Sequence, residues 1–176
     1  MKVFLNPGHD LYLDPGACGN GLEESQITCS VAKLLEGYLE RAGIQVVHVM
    51  QDDDLEYVCY TANQSDADIF VSIHCNAAEN IEAHGTETFA YALKGPGAAL
   101  AIDVQTSIVS ALGTNDRGIK QANFLVLKQT IMPAILVELA FISNKDDAEL
   151  LKTKQEEFAL AIAKGIEDYA LKQSKS

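Results

Sequence analysis

The sequence predicts an α/β fold: a mostly parallel, twisted sheet flanked by helices and folded as a single domain. Two observations carry this. Short apolar runs alternate with longer segments of helical period, the pattern of a sheet covered by helices. The 176 residues contain no internal repeat and no linker-like stretch, which suits one domain of about 100–200 residues.

The elements follow in order. Val3-Phe4-Leu5 is a short buried run ended by Asn6-Pro7-Gly8. Residues 14–21 are glycine-rich and without period, hence a loop. From Glu24 onward Ile27, Val31, Leu34, Leu35, Tyr38 and Leu39 recur at helical spacing, and Gly43 supplies a stop. Residues 45–49 read as a second strand, followed by the acidic turn Asp52-Asp53-Asp54. Residues 55–65 read as a helix and 69–73 as a continuous apolar strand. Residues 86–91 alternate as a strand, and Lys94-Gly95-Pro96-Gly97 breaks the chain. A helix over 98–112 stops at Gly113, and 124–127 and 134–139 read as strands. Residues 155–171 form an amphipathic closing helix, so the domain is expected over 1–172 with 173–176 as a frayed tail.

The chain carries 13 Lys and Arg against 25 Asp and Glu, a net charge of −12. That balance argues against nucleic acid, whose phosphates need a basic patch, and against an anionic membrane surface. No apolar run approaches the ~20 residues that span a bilayer. Met1-Lys2 leads straight into a strand, so no leader of the signal-peptide type is expected. Nothing implies more than a monomer. Cys18, Cys29, Cys59 and Cys75 form no C-x-x-C pair, and four reduced, mostly buried thiols are expected.

In open α/β sheets ligands gather outside the carboxyl ends of the strands. His9 falls there after the first strand, His74 after the third, and Glu138 near the end of the long apolar strand; Glu24 opens the first long helix. Two histidines and a glutamate, with a fourth position left to water, make the usual arrangement of a hydrolytic zinc site. A further carboxylate nearby takes a proton from water and passes it to a leaving group. Each residue also has a plainer reading. His9 suits a turn, His74 a hydrogen-bonded core position, and Glu24, like Glu23, opposes the helix dipole. Glu138 follows Ile135-Leu136-Val137, where a carboxylate is costly to bury without a cation or a donor.

Six motifs occur in order: Asn6-Pro7-Gly8-His9-Asp10, Gly21-Leu22-Glu23-Glu24, Ser72-Ile73-His74-Cys75-Asn76-Ala77, Asp116-Arg117-Gly118, Met132-Pro133-Ala134-Ile135-Leu136-Val137-Glu138 and Phe141-Ile142-Ser143-Asn144. Together they resemble the zinc-dependent N-acetylmuramoyl-L-alanine amidases of the amidase type 3 family, from about Val3 to Tyr169. The resemblance implies one zinc ion per chain, held by His9, Glu24 and His74, with Glu138 as the catalytic glutamate. Glu24 is preferred to Glu23 because it precedes a short polar stretch and an apolar position, Ser25-Gln26-Ile27. The implied substrate is peptidoglycan at the bacterial cell wall, cut between N-acetylmuramic acid and L-alanine. A secreted catalytic fragment, a phage endolysin or a mother-cell enzyme would each suit a chain without an export signal.

The chain departs from the family at Met50-Gln51 and at Val58, where relatives often carry arginine. Asn76 and Arg117 are candidate substrate-binding residues, with loop shaping and a structural ion pair as their plainer roles. Glu87 either orients a ligand histidine or serves a structural hydrogen bond. His48 and His84 are not expected as ligands, and residues 52–54 lack the glycine and distal glutamate of a calcium loop. A stem peptidase with a similar zinc set, and a wall-binding module without catalysis, are the rival readings.

Overall fold

A computed structural model describes residues 1–174. In chain order its elements are β1 (Lys2–Pro7), β2 (Cys18–Gly19), β3 (Leu22–Glu23), α1 (Glu24–Arg41), β4 (Gln45–Val49), α2 (Leu55–Gln64) and β5 (Ile69–Asn76). There follow β6 (Thr86–Ala90), α3 (Pro96–Leu112), β7 (Asp116–Gln121), α4 (Leu125–Gln129), β8 (Ala134–Phe141), α5 (Lys145–Thr153) and α6 (Gln155–Gln173). Six strands form one sheet in the order β4-β1-β5-β8-β6-β7. β1 pairs in parallel with β4 and β5, and β5 with β8; β6 runs antiparallel to β8 and parallel to β7. The fold is thus α/β with a mixed, mostly parallel sheet between helices.

Strand alternation divides the core. Val3, Leu5, Ile69, Val71, Ile73, Ile135, Val137 and Leu139 face one layer, built with α1, α3 and α6. The intervening Phe4, Phe70, Ala134 and Leu136 face the other, packed on Val58, Cys59 and Ala62 of α2 and on Val126 and Leu127 of α4. Side chains of successive strand residues point to opposite faces, so His74 and Glu138 share the face of Phe70 and Leu136. Helix ends follow their expected chemistry. Asp54 accepts from the Tyr57 amide at the start of α2, and Gly113 ends α3 in the left-handed region. α6 reaches Gln173, with Ser174 at its cap; of the tail expected over 173–176, residues 175–176 lie outside the described residues.

The structure corrects several expectations. Residues 124–127 are not a strand: Leu125–Gln129 is the short helix α4. A four-residue apolar run does not distinguish a buried strand from a buried helical turn, and here the neighbouring β8 already has β5 and β6 on its two edges. The strand β7 was hidden by the polar series Asp116-Arg117-Gly118-Ile119-Lys120-Gln121, which an edge strand tolerates because it pairs on one side only. α5, capped by Asn144 on the amides of Asp146 and Asp147, was likewise not predicted. The glycine-rich loop contains the small antiparallel pair β2–β3. The four cysteines are unpaired, but only Cys59 and Cys75 are buried; Cys18 is exposed. Among the described residues no helix is long and apolar enough to cross a membrane.

Candidate metal centre and active site

The site grows from the carboxyl ends of β1, β5 and β8. Gly8 donates its amide to the Ile73 carbonyl (2.9 Å), which continues the β1–β5 pairing and sets His9 beside His74. His9 takes a left-handed φ of 64°, a conformation uncommon for a residue with a Cβ. α1 packs on the opposite layer, yet its first residue, Glu24, reaches the same edge. The return of the loop brings it there: the Glu24 amide donates to Ala17 (2.9 Å) and that of Ser25 to Pro15 (3.0 Å).

His9, Glu24 and His74 each present one donor atom, all within 4.8 Å of one another. Glu24 is 3% exposed. Its Oε2 lies 3.2 Å from His9 Nε2 and its Oε1 2.9 Å from His74 Nδ1. The same carboxylate accepts from the Ala17 amide (2.8 Å) and the Cys75 amide (2.9 Å). The second nitrogen of each ring is also held: His9 Nδ1 lies 2.8 Å from Asp14 Oδ2, and His74 Nε2 3.1 Å from Ser72 Oγ. Rings fixed in this way are pre-oriented for a metal. Burial alone would raise the Glu24 carboxyl, but hydrogen bonds to His74 and His9 outweigh it and hold the group well below the usual carboxylate range. The Glu24 hydrogen bond raises His9 to about 9 against the effect of burial, with Asp14 adding to the rise.

Two glycines make room for these rings. A Cβ on Gly8 would fall within the His74 ring, and one on Gly16 would meet His9 Cδ2 at 2.6 Å and Glu24 Oε2 at 2.7 Å. Gly8→Ala is therefore expected to push the His74 ring out of place and to destabilise the fold by about 1–3 kcal/mol. Chemical denaturation would measure the loss, and unchanged stability would mean that the ring has room to move.

Glu138 completes the row. It is the register partner of His74 across β5–β8 and of Glu87 across β8–β6. It borders a cleft of about 260 Å³ together with His9, His74, Leu55, Phe124 and Leu136. Its Oε2 is buried without a hydrogen-bond partner. Burial pushes its carboxyl up to about 8, and the Glu24 and Glu87 carboxylates add to the shift. An orphaned acid oxygen beside converging imidazole and carboxylate donors fits a site built to meet a cation. A larger groove of about 830 Å³ lies on the opposite layer along α3 and α6, and neither histidine nor cysteine lines it.

The remaining candidates sit apart from the three donor residues. Glu87, 4% exposed, touches no histidine among the described residues; it accepts from Asn76 Nδ2 (2.9 Å), Arg117 Nε and Lys120 Nζ. Asn76 also turns its Oδ1 to the Ala77 amide (2.9 Å). His48 packs on Phe4, and His84 Nδ1 lies 2.8 Å from the Glu82 carbonyl; neither joins a donor cluster among the described residues. Asp52 borders the cleft, while Asp53 forms a second donor group with His9 and Asp14 on the outer side of the ring. At the departures from the family, Gln51 Nε2 donates to the carbonyls of Gly8 (3.1 Å) and Ser25 (2.9 Å), and Val58 is fully buried. Asp14 and Ser72 were not singled out from sequence as site residues, since their partners are fixed only by the fold.

Comparison with known proteins places the chain in a family. The profile described as N-acetylmuramoyl-L-alanine amidase, Amidase_3, matches residues 3–168. The chain is 38% identical over 156 residues to N-acetylmuramoyl-L-alanine amidase LytC of Bacillus subtilis (strain 168), covering 85% of this chain and 31% of that protein. Among solved structures it resembles N-acetylmuramoyl-L-alanine amidase AmiC2 of Nostoc punctiforme, with a TM-score of 0.90, 33% identity and 97% of each chain covered. It also resembles an N-acetylmuramoyl-L-alanine amidase from Clostridium difficile 630, with a TM-score of 0.89 and 35% identity over 99% of this chain and 98% of that one. The chain belongs to the N-acetylmuramoyl-L-alanine amidase family and is an amidase-family hydrolase.

Proposed function

We propose that the chain hydrolyses the amide joining the lactyl group of N-acetylmuramic acid to the L-alanine of the peptidoglycan stem, at the bacterial cell wall. His9, Glu24 and His74 hold one zinc ion, and Glu138 moves the proton. The observation that carries this reading is the placement of Glu138. It faces His74 across the sheet, borders the cleft, and keeps one buried oxygen without a partner.

When bound, zinc supplies Lewis-acid polarisation of the amide carbonyl and lowers the pKa of a water molecule towards about 7. Asp14 and Ser72 fix the two imidazole rings so that their inner nitrogens converge. The Glu138 carboxylate accepts a proton from water as the oxygen attacks the carbonyl carbon. Protonated Glu138 then gives that proton to the nitrogen as the C–N bond breaks, so the products are a free lactyl carboxylate and the amino group of L-alanine. Leu55, Phe124 and Leu136 supply apolar walls beside the proton transfer.

The reading is tested by incubating purified peptidoglycan with the zinc-loaded protein, with and without a chelator, and weighing the products. Intact stems beginning at L-alanine are expected, lost on chelation and restored by zinc. Products cut within the stem would replace the amidase reading by a peptidase.

A further inference from the structure

We infer that Lys120 is a specificity-determining residue that receives a carboxylate of the peptide stem on the leaving side of the scissile amide, with Glu87 aiming it. This rests on the amidase reading above.

Glu87 stands directly opposite Glu138 in the β6–β8 ladder. Its buried carboxylate holds two cations, because Arg117 and Lys120 both pair with the same Oε2. One cation would neutralise it, so the group carries a surplus positive charge one strand away from the proposed base. The two cations are not equivalent. Arg117 lies over the Phe141 ring, 4.7 Å from its centre, and donates its Nε to Glu87, so its planar head is committed. Lys120 spends one of its three donors on Glu87; its side chain stays 38% exposed, and its ammonium stands 6.0 Å above the Phe89 ring. Phe89 is the strand partner of Leu136, which borders the cleft. The ammonium therefore lies at the end of a continuous strip running from His74 over β8 and β6.

Charge and reach both suit a carboxylate there. No Lys or Arg is among the described residues bordering the cleft, while His9, Asp52 and Glu138 are, and the chain as a whole is at −12. β7 lies two strand spacings from β8, roughly 10 Å. An extended chain advances about 3.3–3.6 Å per residue, so a carboxylate on the residue after L-alanine falls within reach of the flexible Lys120 side chain. A structural anchor for the edge strand would need Arg117 alone.

The test uses the zinc-loaded protein and two C-terminally amidated tripeptides, L-alanyl-γ-D-glutamyl-L-lysine with its glutamyl α-carboxylate free or amidated. Calorimetry is expected to show the free-carboxylate peptide binding about 10- to 100-fold more tightly. Lys120→Met abolishes that preference without changing the melting temperature, and Lys120→Arg keeps most of it. Equal binding of both peptides by the unmodified protein overturns the inference. So does a Lys120→Met variant that keeps the preference, or one that weakens both peptides equally while it melts earlier. If peptidoglycan is cleaved but the peptides are not distinguished, only this inference falls. If they are distinguished but peptidoglycan is not cleaved, the amidase reading falls and the carboxylate site stands.

Discussion

Glu138→Gln is expected to lower turnover of peptidoglycan by about 10²- to 10⁴-fold while leaving the zinc content of the purified protein unchanged. Glutamine keeps the shape and the strand pairing with His74 and Glu87, but it has no basic oxygen to accept a proton. Metal content by atomic absorption and release of stem peptides by mass separate the two effects. Near-normal turnover would mean that another group moves the proton.

The same substitution has an opposite effect on the metal-free fold. Glu138 holds its proton up to about pH 8, against an ordinary value of 4.5. The folded chain thus binds this proton more tightly than the unfolded chain. Its contribution is complete below pH 4.5 and is lost as the pH rises to about 8. Above that, metal-free Glu138→Gln is expected to be more stable than the parent by about 2–4 kcal/mol, with no gain near pH 4. Urea melts at both pH values would show it. Under the proposed function, Glu138 is a stability–function trade-off at a single position.

The second large effect is on the metal. His74→Ala is expected to reduce zinc affinity by more than ~100-fold, beyond the 10- to 100-fold expected for Asp14→Ala, which only orients His9. Zinc binding should also depend on pH through His9, which keeps its proton to about pH 9 in the metal-free protein because Glu24 stabilises the charged ring. A protonated imidazole cannot bind a metal, so affinity should rise at least about tenfold per unit between pH 7 and 9, with release of at least one proton. Calorimetry in buffers of different ionisation heat measures both. A flat profile would remove His9 from the ligand set.

Much of this architecture was legible in the chain. Residues 69–73 and 134–139 read as interior strands because their apolar runs are rich in β-branched Ile and Val, and Glu138 within the second was conspicuous because an isolated buried carboxylate is costly. The polar edge strand β7 and the helix α4 were not legible. Their identity depends on which sheet edge is still open when the chain arrives. Asp14 looked like the start of a featureless loop, although it lies 2.8 Å from His9 Nδ1. Lys120 was not singled out at all, although it shares a buried carboxylate one strand from Glu138.

The division has a physical cause. Periodicity, caps and the cost of burial act over a few residues, so they establish strands, helices and the face of the sheet on which His74 and Glu138 must stand. Whether residues 9, 24, 74 and 138 meet depends on strand register and on the turn of the chain through Ala17. Those are agreements between distant segments, and no local pattern carries them. Sequence therefore determined most of the interior strands, the long helices and the chemistry of the candidate residues, and tertiary structure alone decided that His9, Glu24 and His74 converge within 4.8 Å with Glu138 in register beside them.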